Sequence, residues 1–474
     1  MVKYLESRQN AFIQEAEAGN PEALPLALET AFKLDSFLNR SRDQLALTAS
    51  LNRLIEQERR HYAAAIDVAL RLYRETGEGR YHEDAYYFAS SQKSNLLNRY
   101  LNSPDLAETM GLPAEVVEQQ QDLELRVLIL EQSLNTAEED EQARIREELL
   151  SVNRELDVQR EAIANDYPAF SQALRGYKRL DVAAAQAALE DNQLVVEYFL
   201  SDSSVYVFTI GREGLDHYVL PRPEGLDALV AAANTDAAVA AQLYQALLAP
   251  ALPQNDNITR LQFIPDGALW QLSFAALRNN DRYLIEDYAI SYAYASAMLF
   301  ADRSGLDVGE GYLGNGISYD DIIRRINASP KRSVVGNQLR NLGPLPFARR
   351  EVDEAAVIMG GTPRINAEAT KARFLEEGPT AGILHLAMHG IVNDNPMENA
   401  LVFRGERDTF DLLTMQEVLA RKFPAALTIL SACHSGNGPL QQNEGVQSIG
   451  RAFMAAGSRS TITSAWEAQD EATY

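Results

Sequence analysis

Two short stretches of the sequence place a reactive side chain beside small residues. Cys433, the only cysteine among the 474 residues, ends an apolar run and is followed two and three positions later by Ser435 and Gly436. His389 ends another apolar run and is followed by Gly390. A thiol is mostly protonated at neutral pH, so it becomes a nucleophile when an imidazole removes its proton, and glycine lets backbone N–H groups approach an oxyanion. The two stretches predict a Cys433–His389 dyad.

The residues alone leave a second interpretation open. A lone cysteine at the end of a strand is as often a small core residue as a nucleophile. His385 and His389 share one face of their strand, and either could be a core histidine with satisfied hydrogen bonds. His434 would point to the opposite face from Cys433 if the strand continued, so His389 is the better candidate base.

Two other stretches resemble cofactor- or metal-binding motifs, but the sequence around them does not fit such sites. The stretch GEGYLG at 309–314 matches a dinucleotide-binding pattern, but a loop-like segment precedes it and no helix opens at its last glycine. The histidines of HLAMH at 385–389 would lie roughly 13 Å apart along a strand, and the glutamate of the zinc motif is absent. We therefore expect neither a metal ion nor another cofactor.

The candidate dyad depends on the strands that carry it. Short β-branched and aromatic runs begin near residue 190, and strand and helix patterns alternate to the end of the sequence. This pattern predicts an α/β fold with a mostly parallel sheet flanked by helices. The runs GILHLAMHG and ALTILSACHSG are predicted buried strands, and residues at the carboxyl ends of such strands can face one crevice.

Residues 1–165 have a different character. They are rich in Ala, Leu, Glu, Gln and Arg, and apolar residues recur at steps of three and four, as at Ile66, Ala69, Leu70 and Tyr73. Short breaks divide the segment into paired helices, which suggests hairpins somewhat like tetratricopeptide repeats. No clean repeat of about 34 residues is visible, so a plain helical bundle stays open. The predicted class is α + α/β.

Composition and charge narrow the functional class. Hydrophobic residues make up 46% and charged residues 23% of the chain, as in a globular protein. The net charge of −24 disfavours direct binding to nucleic acid or to an anionic membrane, although it favours basic partners or solubility. Residues 1–20 offer no continuous apolar stretch typical of a signal peptide. We expect a cytoplasmic protein without a membrane segment.

Several motifs in order resemble one family. LHLAMHG at 384–390, LTILSACHSG at 427–436 and the stretch from NEGVQSIG to SAWEAQDEAT at 443–473 are similar in type and spacing to the CHAT domain. The segment at 261–300 resembles the part that precedes the catalytic half of that family. The resemblance covers residues 190–474 and implies a caspase-like cysteine peptidase, in a clan with caspases, separases and gingipains.

The resemblance implies a role for individual residues. His389 would orient or deprotonate the system, the Cys433 thiolate would attack a peptide carbonyl, and the N–H groups of Gly390 and Cys433 would stabilise the oxyanion. The stretch WEAQDEAT is similar to a W-x-x-x-D segment of separase-like relatives. By that similarity Asp470 would bind Arg or Lys before the cut, although a helix-capping aspartate is an equal alternative.

Two further expectations follow from the resemblance. Residues 324–350 contain seven Lys or Arg and no Asp or Glu, so an enzyme that cuts after basic residues could cleave itself at SPKRS, 329–333. CHAT chains usually continue past the W-x-x-x-D segment, which implies that the catalytic half is truncated at its end.

Taken together, the sequence predicts three parts: tetratricopeptide-like helices at 1–165, the first half of a CHAT domain at 166–305 and its catalytic half at 306–474. The predicted function is a cysteine endopeptidase acting on protein or peptide substrates after Arg or Lys, regulated by a protein partner through the helices. The rival interpretations are a non-catalytic scaffold or signalling adaptor with the same fold, and a hydrolase of small-molecule esters.

Overall fold

The computed structural model of the chain describes most of its residues. The described ranges are 2–42, 48–93, 113–137, 139–167, 179–253, 257–301, 308–320, 343–393, 395–405, 409–441 and 445–465.

The described residues form helices throughout and strands only after residue 192. The helices are α1 (Val2–Glu17), α2 (Ala23–Arg42), α3 (Thr48–Thr76), α4 (Gly79–Ser90), α5 (Ala114–Thr136), α6 (Glu139–Asp166), α7 (Val182–Ala188), α8 (Leu226–Ala233), α9 (Ala237–Leu247), α10 (Ser296–Leu299), α11 (Ala348–Met359), α12 (Lys371–Glu377), α13 (Met415–Leu419) and α14 (Ile449–Ala455). The strands are β1 (Gln193–Leu200), β2 (Ser204–Gly211), β3 (Gly214–Pro221), β4 (Arg260–Ile264), β5 (Arg278–Asn279), β6 (Arg282–Tyr283), β7 (Ala289–Tyr292), β8 (Glu310–Gly316), β9 (Arg364–Ile365), β10 (Ala381–Ala387), β11 (Gly390–Ile391), β12 (Ala400–Arg404), β13 (Phe410–Thr414), β14 (Leu427–Ser431), β15 (Leu440–Gln441), β16 (Gly445–Val446) and β17 (Thr461–Thr463).

Contacts divide the chain into two compact units. The first comprises Met1–Leu106, Arg160–Asp302 and Leu440–Gly445, and the second comprises Ala107–Gln159, Arg303–Pro439 and Val446–Tyr474. The N-terminal helices therefore divide between the units: α1–α4 belong to the first and α5 to the second. The domain boundaries predicted at residues 165 and 305 stay predictions.

The first unit is built on a mixed sheet with strand order β3-β2-β1-β4-β7. β1 pairs antiparallel with β2 and parallel with β4. Alternate residues of β1 serve two separate cores, because side chains along a strand point to opposite faces. Val195 and Phe199 pack with the apolar residues of α1–α4. Leu194 and Val196 pack with α8 and α9 on the other side.

A buried ion pair lies on the helix-facing side of this sheet. Glu197 is fully buried in β1, and its carboxylate accepts hydrogen bonds from Lys93 Nζ at 2.9 Å and from the Tyr86 hydroxyl at 2.7 Å. Lys93 Nζ also donates to the carbonyl of Tyr198 at 2.5 Å. Burying a charge is unfavourable unless it is paired and hydrogen-bonded, and here both conditions are met. The pair fixes the segment after α4 on β1.

The second unit contains a parallel sheet with strand order β17-β14-β10-β8-β9. Along β10, Leu384 and Leu386 belong to the main core with α12–α14, whereas Ala387 packs beneath α11. Helix α5 contributes Leu125 to the same main core and packs against the turn Pro396–Glu398. Burial on both faces explains why β10, at the centre of this sheet, is almost continuously apolar.

Glycines in β8 allow the close approach of α11. A Cβ at Gly314 would lie 2.5 Å from Val352 Cγ1, and one at Gly316 would lie 2.7 Å from the carbonyl oxygen of Ala348. Gly314 of the GEGYLG stretch is therefore required by the packing of α11. The stretch leads into strand β8 and does not open a helix.

The predicted fold class is confirmed: a helical N-terminal region precedes sheets flanked by helices. Within the described ranges, no helix combines the length and apolar composition needed to cross a membrane.

The buried ion pair leads to a prediction for stability. Lys93→Met should lower the free energy of unfolding by about 3–5 kcal/mol, because Glu197 would be left buried without a counter-charge. Urea denaturation of the two proteins measures the difference. The double variant Lys93→Met/Glu197→Leu should recover most of the loss, since neither charge remains. As a control, Arg260→Met breaks the exposed pair with Glu190 and should cost less than about 1 kcal/mol. Equal losses in the two single variants would contradict the prediction.

Buried histidines make the first unit sensitive to acid. His82 Nε2 lies 3.0 Å from His217 Nδ1 and its ring stacks on Tyr73, and burial lowers the pKa of His82 from 6.5 to about 4. Because the unfolded chain binds the proton first, stability is complete above about pH 6.5 and is lost as the pH falls towards about 4. His82→Phe should reduce the loss of unfolding free energy between pH 7.5 and 5 by on the order of 1–2 kcal/mol. Identical pH dependences of the melting temperature in the two proteins would refute this.

Candidate active site

Two adjacent parallel strands bring the predicted dyad residues to the same edge of the sheet. β10 and β14 pair with Ala387 opposite Ser431, and the N–H of Met388 continues the ladder by donating to the Ser431 carbonyl at 3.2 Å. His389 follows the end of β10 by two residues and Cys433 follows the end of β14 by two residues, so both lie just beyond the same edge of the sheet. The carboxyl ends of parallel strands are the usual location of sites in α/β sheets.

Gly390 touches the backbone of Cys433. A Cβ at position 390 would lie 2.6 Å from the Cys433 carbonyl oxygen, which is closer than real Cβ atoms come to a backbone oxygen. Gly390 faces Leu401 in β12. The neighbouring pair, His389 and Val402, is the hydrogen-bonded one, since the Val402 N–H donates to the His389 carbonyl at 2.9 Å. In a non-hydrogen-bonded pair such as Gly390 and Leu401, the N–H of Gly390 points away from β12. That direction suits an oxyanion donor.

The surroundings of His389 favour a neutral imidazole. Its side chain is buried, and Nε2 lies 2.7 Å from the carbonyl oxygen of Gly343. A carbonyl only accepts, so Nε2 carries the proton and Nδ1 keeps its lone pair. Burial lowers the pKa of His389, and the bond to Gly343 opposes that effect. A neutral imidazole at physiological pH can accept the proton of a thiol.

The chain turns sharply after β14, and Cys433 lies in this turn with its surface partly exposed. Ser435 anchors the turn: its hydroxyl donates to the Leu430 carbonyl at 3.0 Å and accepts from the N–H of Ser464 at 3.0 Å. The N–H of Gly436 donates to the Ser464 carbonyl at 2.9 Å. The N–H of Gly436 thus links the turn to the segment after β17.

His434 and His385 have other partners. The backbone of His434 is left-handed, with φ of 56°, and Nδ1 accepts a hydrogen bond from the side chain of Asn437 at 3.2 Å. His385 bridges the Tyr312 hydroxyl and Glu351, each at 2.9 Å, beneath α11. His385 is thus the core histidine of the pair His385 and His389.

Two parts of the predicted site lie outside the described residues. These are Asp470, the predicted acid of the specificity pocket, and the 329–333 stretch proposed for self-cleavage. The role of Asp470 and the self-cleavage hypothesis stay predictions.

Sequence reasoning missed two residues that touch His389. Gly343 supplies the carbonyl for Nε2, and the ring of Tyr319 lies 4.7 Å from the imidazole between centroids, tilted by 40°. Both are far from His389 in sequence, at 46 and 70 positions. Neither has a local pattern that marks the contact, although Tyr319 lies only three residues after the end of β8.

The contact between Gly390 and Cys433 can be tested through the thiol. Gly390→Ala should displace the Cys433 backbone and slow iodoacetamide alkylation at pH 7 by about tenfold, because the cysteine and imidazole lose alignment. Cys433 is the only thiol in the chain, so mass spectrometry reports this position alone. Gly79→Ala is the control, since a Cβ there meets nothing within 4 Å. Unchanged alkylation in Gly390→Ala would show that the close contact does not constrain the cysteine.

Comparison with protein families places part of the chain in a known family. The family model of the CHAT domain matches residues 237–474, which is 238 of the 474 residues. No protein of curated function matches the sequence. The match contains every strand of the parallel sheet, together with His389 after β10 and Cys433 after β14. CHAT domains have a fold related to caspase-like cysteine peptidases. The chain therefore belongs to the CHAT family.

Proposed function

We propose that the chain is a cysteine endopeptidase of the caspase-like CHAT type. In this proposal Cys433 is the nucleophile and His389 is the base. The N–H groups of Gly390 and Cys433 form the oxyanion hole, and Asp470 selects Arg or Lys before the cut. A protein partner regulates the activity through the N-terminal helices.

The observation that carries the proposal is the pairing of β10 with β14. It supports a dyad because both strands end at the same edge and Gly390 approaches the Cys433 backbone at contact distance. The second support is the bond from His389 Nε2 to Gly343, which leaves Nδ1 able to accept a proton.

The reaction proceeds by acyl transfer. His389 takes the proton of the Cys433 thiol, and the thiolate attacks the carbonyl carbon of the peptide bond. The resulting oxyanion accepts hydrogen bonds from the N–H groups of Gly390 and Cys433. The imidazolium returns the proton to the leaving amine as the C–N bond breaks. Water, deprotonated by the imidazole, then hydrolyses the thioester and releases the second product.

The specificity proposal depends on charge. The family resemblance pairs Asp470 with the substrate residue before the cut, and a carboxylate binds a guanidinium through charge-assisted hydrogen bonds. Lysine would bind the same carboxylate as a point charge.

Only the outward surfaces of the N-terminal helices are open to a regulatory partner. Helices α1–α4 share a core with the first sheet, so that face is unavailable to a partner. Exposed apolar side chains elsewhere on these helices include Tyr4 on α1 and Leu26 on α2, at 62% and 42% exposure. We propose that the partner binds such outward surfaces.

Fluorogenic peptides ending in Arg, Lys or Asp test the function directly. We expect cleavage after Arg and Lys, and Cys433→Ala should reduce kcat/KM by at least about a thousandfold because the nucleophile is gone. Asp470→Asn should reduce the preference for Arg over an uncharged residue by roughly a hundredfold, the effect of losing a charged partner.

The controls separate the competing functions. His434→Asn keeps a residue type that tolerates the left-handed backbone and should retain activity. A preference for Asp over Arg would exclude the Asp470 pocket. Turnover identical in wild type and Cys433→Ala on every peptide would favour the scaffold, and Cys433-dependent cleavage of small esters alone would favour the esterase.

A further inference from the structure

A gap in the small antiparallel ladder lies beside His389. The Val402 N–H donates to the His389 carbonyl at 2.9 Å, so His389 and Val402 face each other across β11 and β12. In a regular ladder the His389 N–H would donate back to the Val402 carbonyl, because facing residues of this kind exchange two bonds. That second bond is replaced here.

The hydroxyl of Tyr319 occupies the gap. It accepts the His389 N–H at 3.2 Å and donates to the Val402 carbonyl. Burial raises the pKa of Tyr319 above its ordinary value, so the hydroxyl keeps the proton that this donation requires. The ring of the same residue packs on the His389 imidazole, with centroids 4.7 Å apart. Tyr319 therefore contacts both the backbone and the side chain of the histidine.

Tyr319 is itself held in an unusual conformation. Its φ of 62° is in the left-handed region, which is uncommon for an aromatic residue. The preceding residue, Ser318, is fixed by Asn366: the Oδ1 atom accepts from the Ser318 N–H at 2.8 Å and from its hydroxyl at 3.1 Å. Backbone strain that the surrounding contacts maintain is typical of functional sites.

The same turn also orders the other contact of His389. The Leu345 N–H donates to the Ser318 carbonyl at 2.9 Å, two residues after Gly343, whose carbonyl accepts the imidazole Nε2 proton. The turn at Ser318 and Tyr319 thus supports every contact described above that orients the ring.

We propose that Tyr319 is a positioning residue for His389, with its hydroxyl completing the ladder and its ring setting the angle of the imidazole. The inference rests on the proposed Cys433–His389 dyad. It adds that the hydroxyl is needed for coupling between the two catalytic residues but not for substrate binding.

Tyr319→Phe tests this by removing only the hydroxyl. We expect kcat for an Arg peptide to fall about tenfold with KM nearly unchanged, since the lost hydrogen bonds affect alignment alone. In the wild type, a thiolate coupled to an imidazole should be alkylated at pH values below the usual pKa of a thiol. Tyr319→Phe should lose this low-pH reactivity of Cys433. NMR titration of the His389 ring should show its pKa moving from the lowered value towards 6.5, as a displaced ring gains solvent.

Matched variants distinguish positioning from general destabilisation. Tyr198 is as deeply buried as Tyr319 but lies in the first unit, where its hydroxyl donates to the Leu247 carbonyl at 3.3 Å. Tyr198→Phe should leave the alkylation profile and the His389 titration unchanged. Asn366→Ala keeps the hydroxyl and loosens the turn that holds it, so it should shift both readouts in the direction of Tyr319→Phe. Asn366→Ala takes the place of Tyr319→Phe as the test if Tyr319→Phe does not fold.

The outcomes separate this inference from the proposed function. His389→Ala first shows whether the wild-type alkylation profile depends on His389. If it does, wild-type alkylation and titration curves in both Tyr319→Phe and Asn366→Ala refute the positioning role. If His389→Ala itself leaves the wild-type profile unchanged, the dyad is refuted, and the positioning role is refuted with it. A shift in both Tyr319→Phe readouts with Tyr198→Phe unchanged supports the inference.

Discussion

The parallel pairing of β10 and β14 is the constraint on which the site depends. Leu384 and Leu386 of β10 enter one core and Ala387 enters another, so a slip of one residue would exchange side chains between two cores of different shape. Once Ala387 lies opposite Ser431, the residues that follow each strand are committed to the same edge. The small residues there have a geometric role, since the backbone of Gly390 comes closer to Cys433 than any side chain would allow.

Much of this arrangement could be predicted from the sequence because its signals are local. The apolar runs ending at His389 and Cys433 mark two buried strands, and the glycine after the histidine marks a close backbone approach. Periodicity likewise separates the helices before residue 166 from the strands after residue 192. The choice of His389 over His385 could not be decided from periodicity, because both residues share a face and differ only in their tertiary partners, Gly343 for one and Tyr312 with Glu351 for the other.

The features that could not be predicted depend on contacts between distant parts of the chain. Nothing near Tyr319 indicates that its hydroxyl enters a ladder 70 residues later, and nothing near Lys93 indicates a carboxylate 104 residues away. The partner of the Gly436 N–H is likewise not visible in the local sequence. The return of the chain after β17 brings the Ser464 carbonyl within reach of this N–H. Local patterns identify elements, and tertiary structure decides which polar groups remain for chemistry.

The packing of α1–α4 on the first sheet also determines where the chain could be cut into fragments without exposing its core. The family match begins at residue 237, but the sheet that contains β4 and β7 has β1 at its centre and β2 and β3 beyond it. A fragment cut at the family boundary would lose three of five strands and leave β4 as an open edge, exposing backbone groups that invite aggregation. A fragment cut before β1 would keep the sheet but uncover Val195 and Phe199 along with the charge of Glu197. The family match therefore covers only part of the first unit, and α1–α4 supply part of that unit's hydrophobic core.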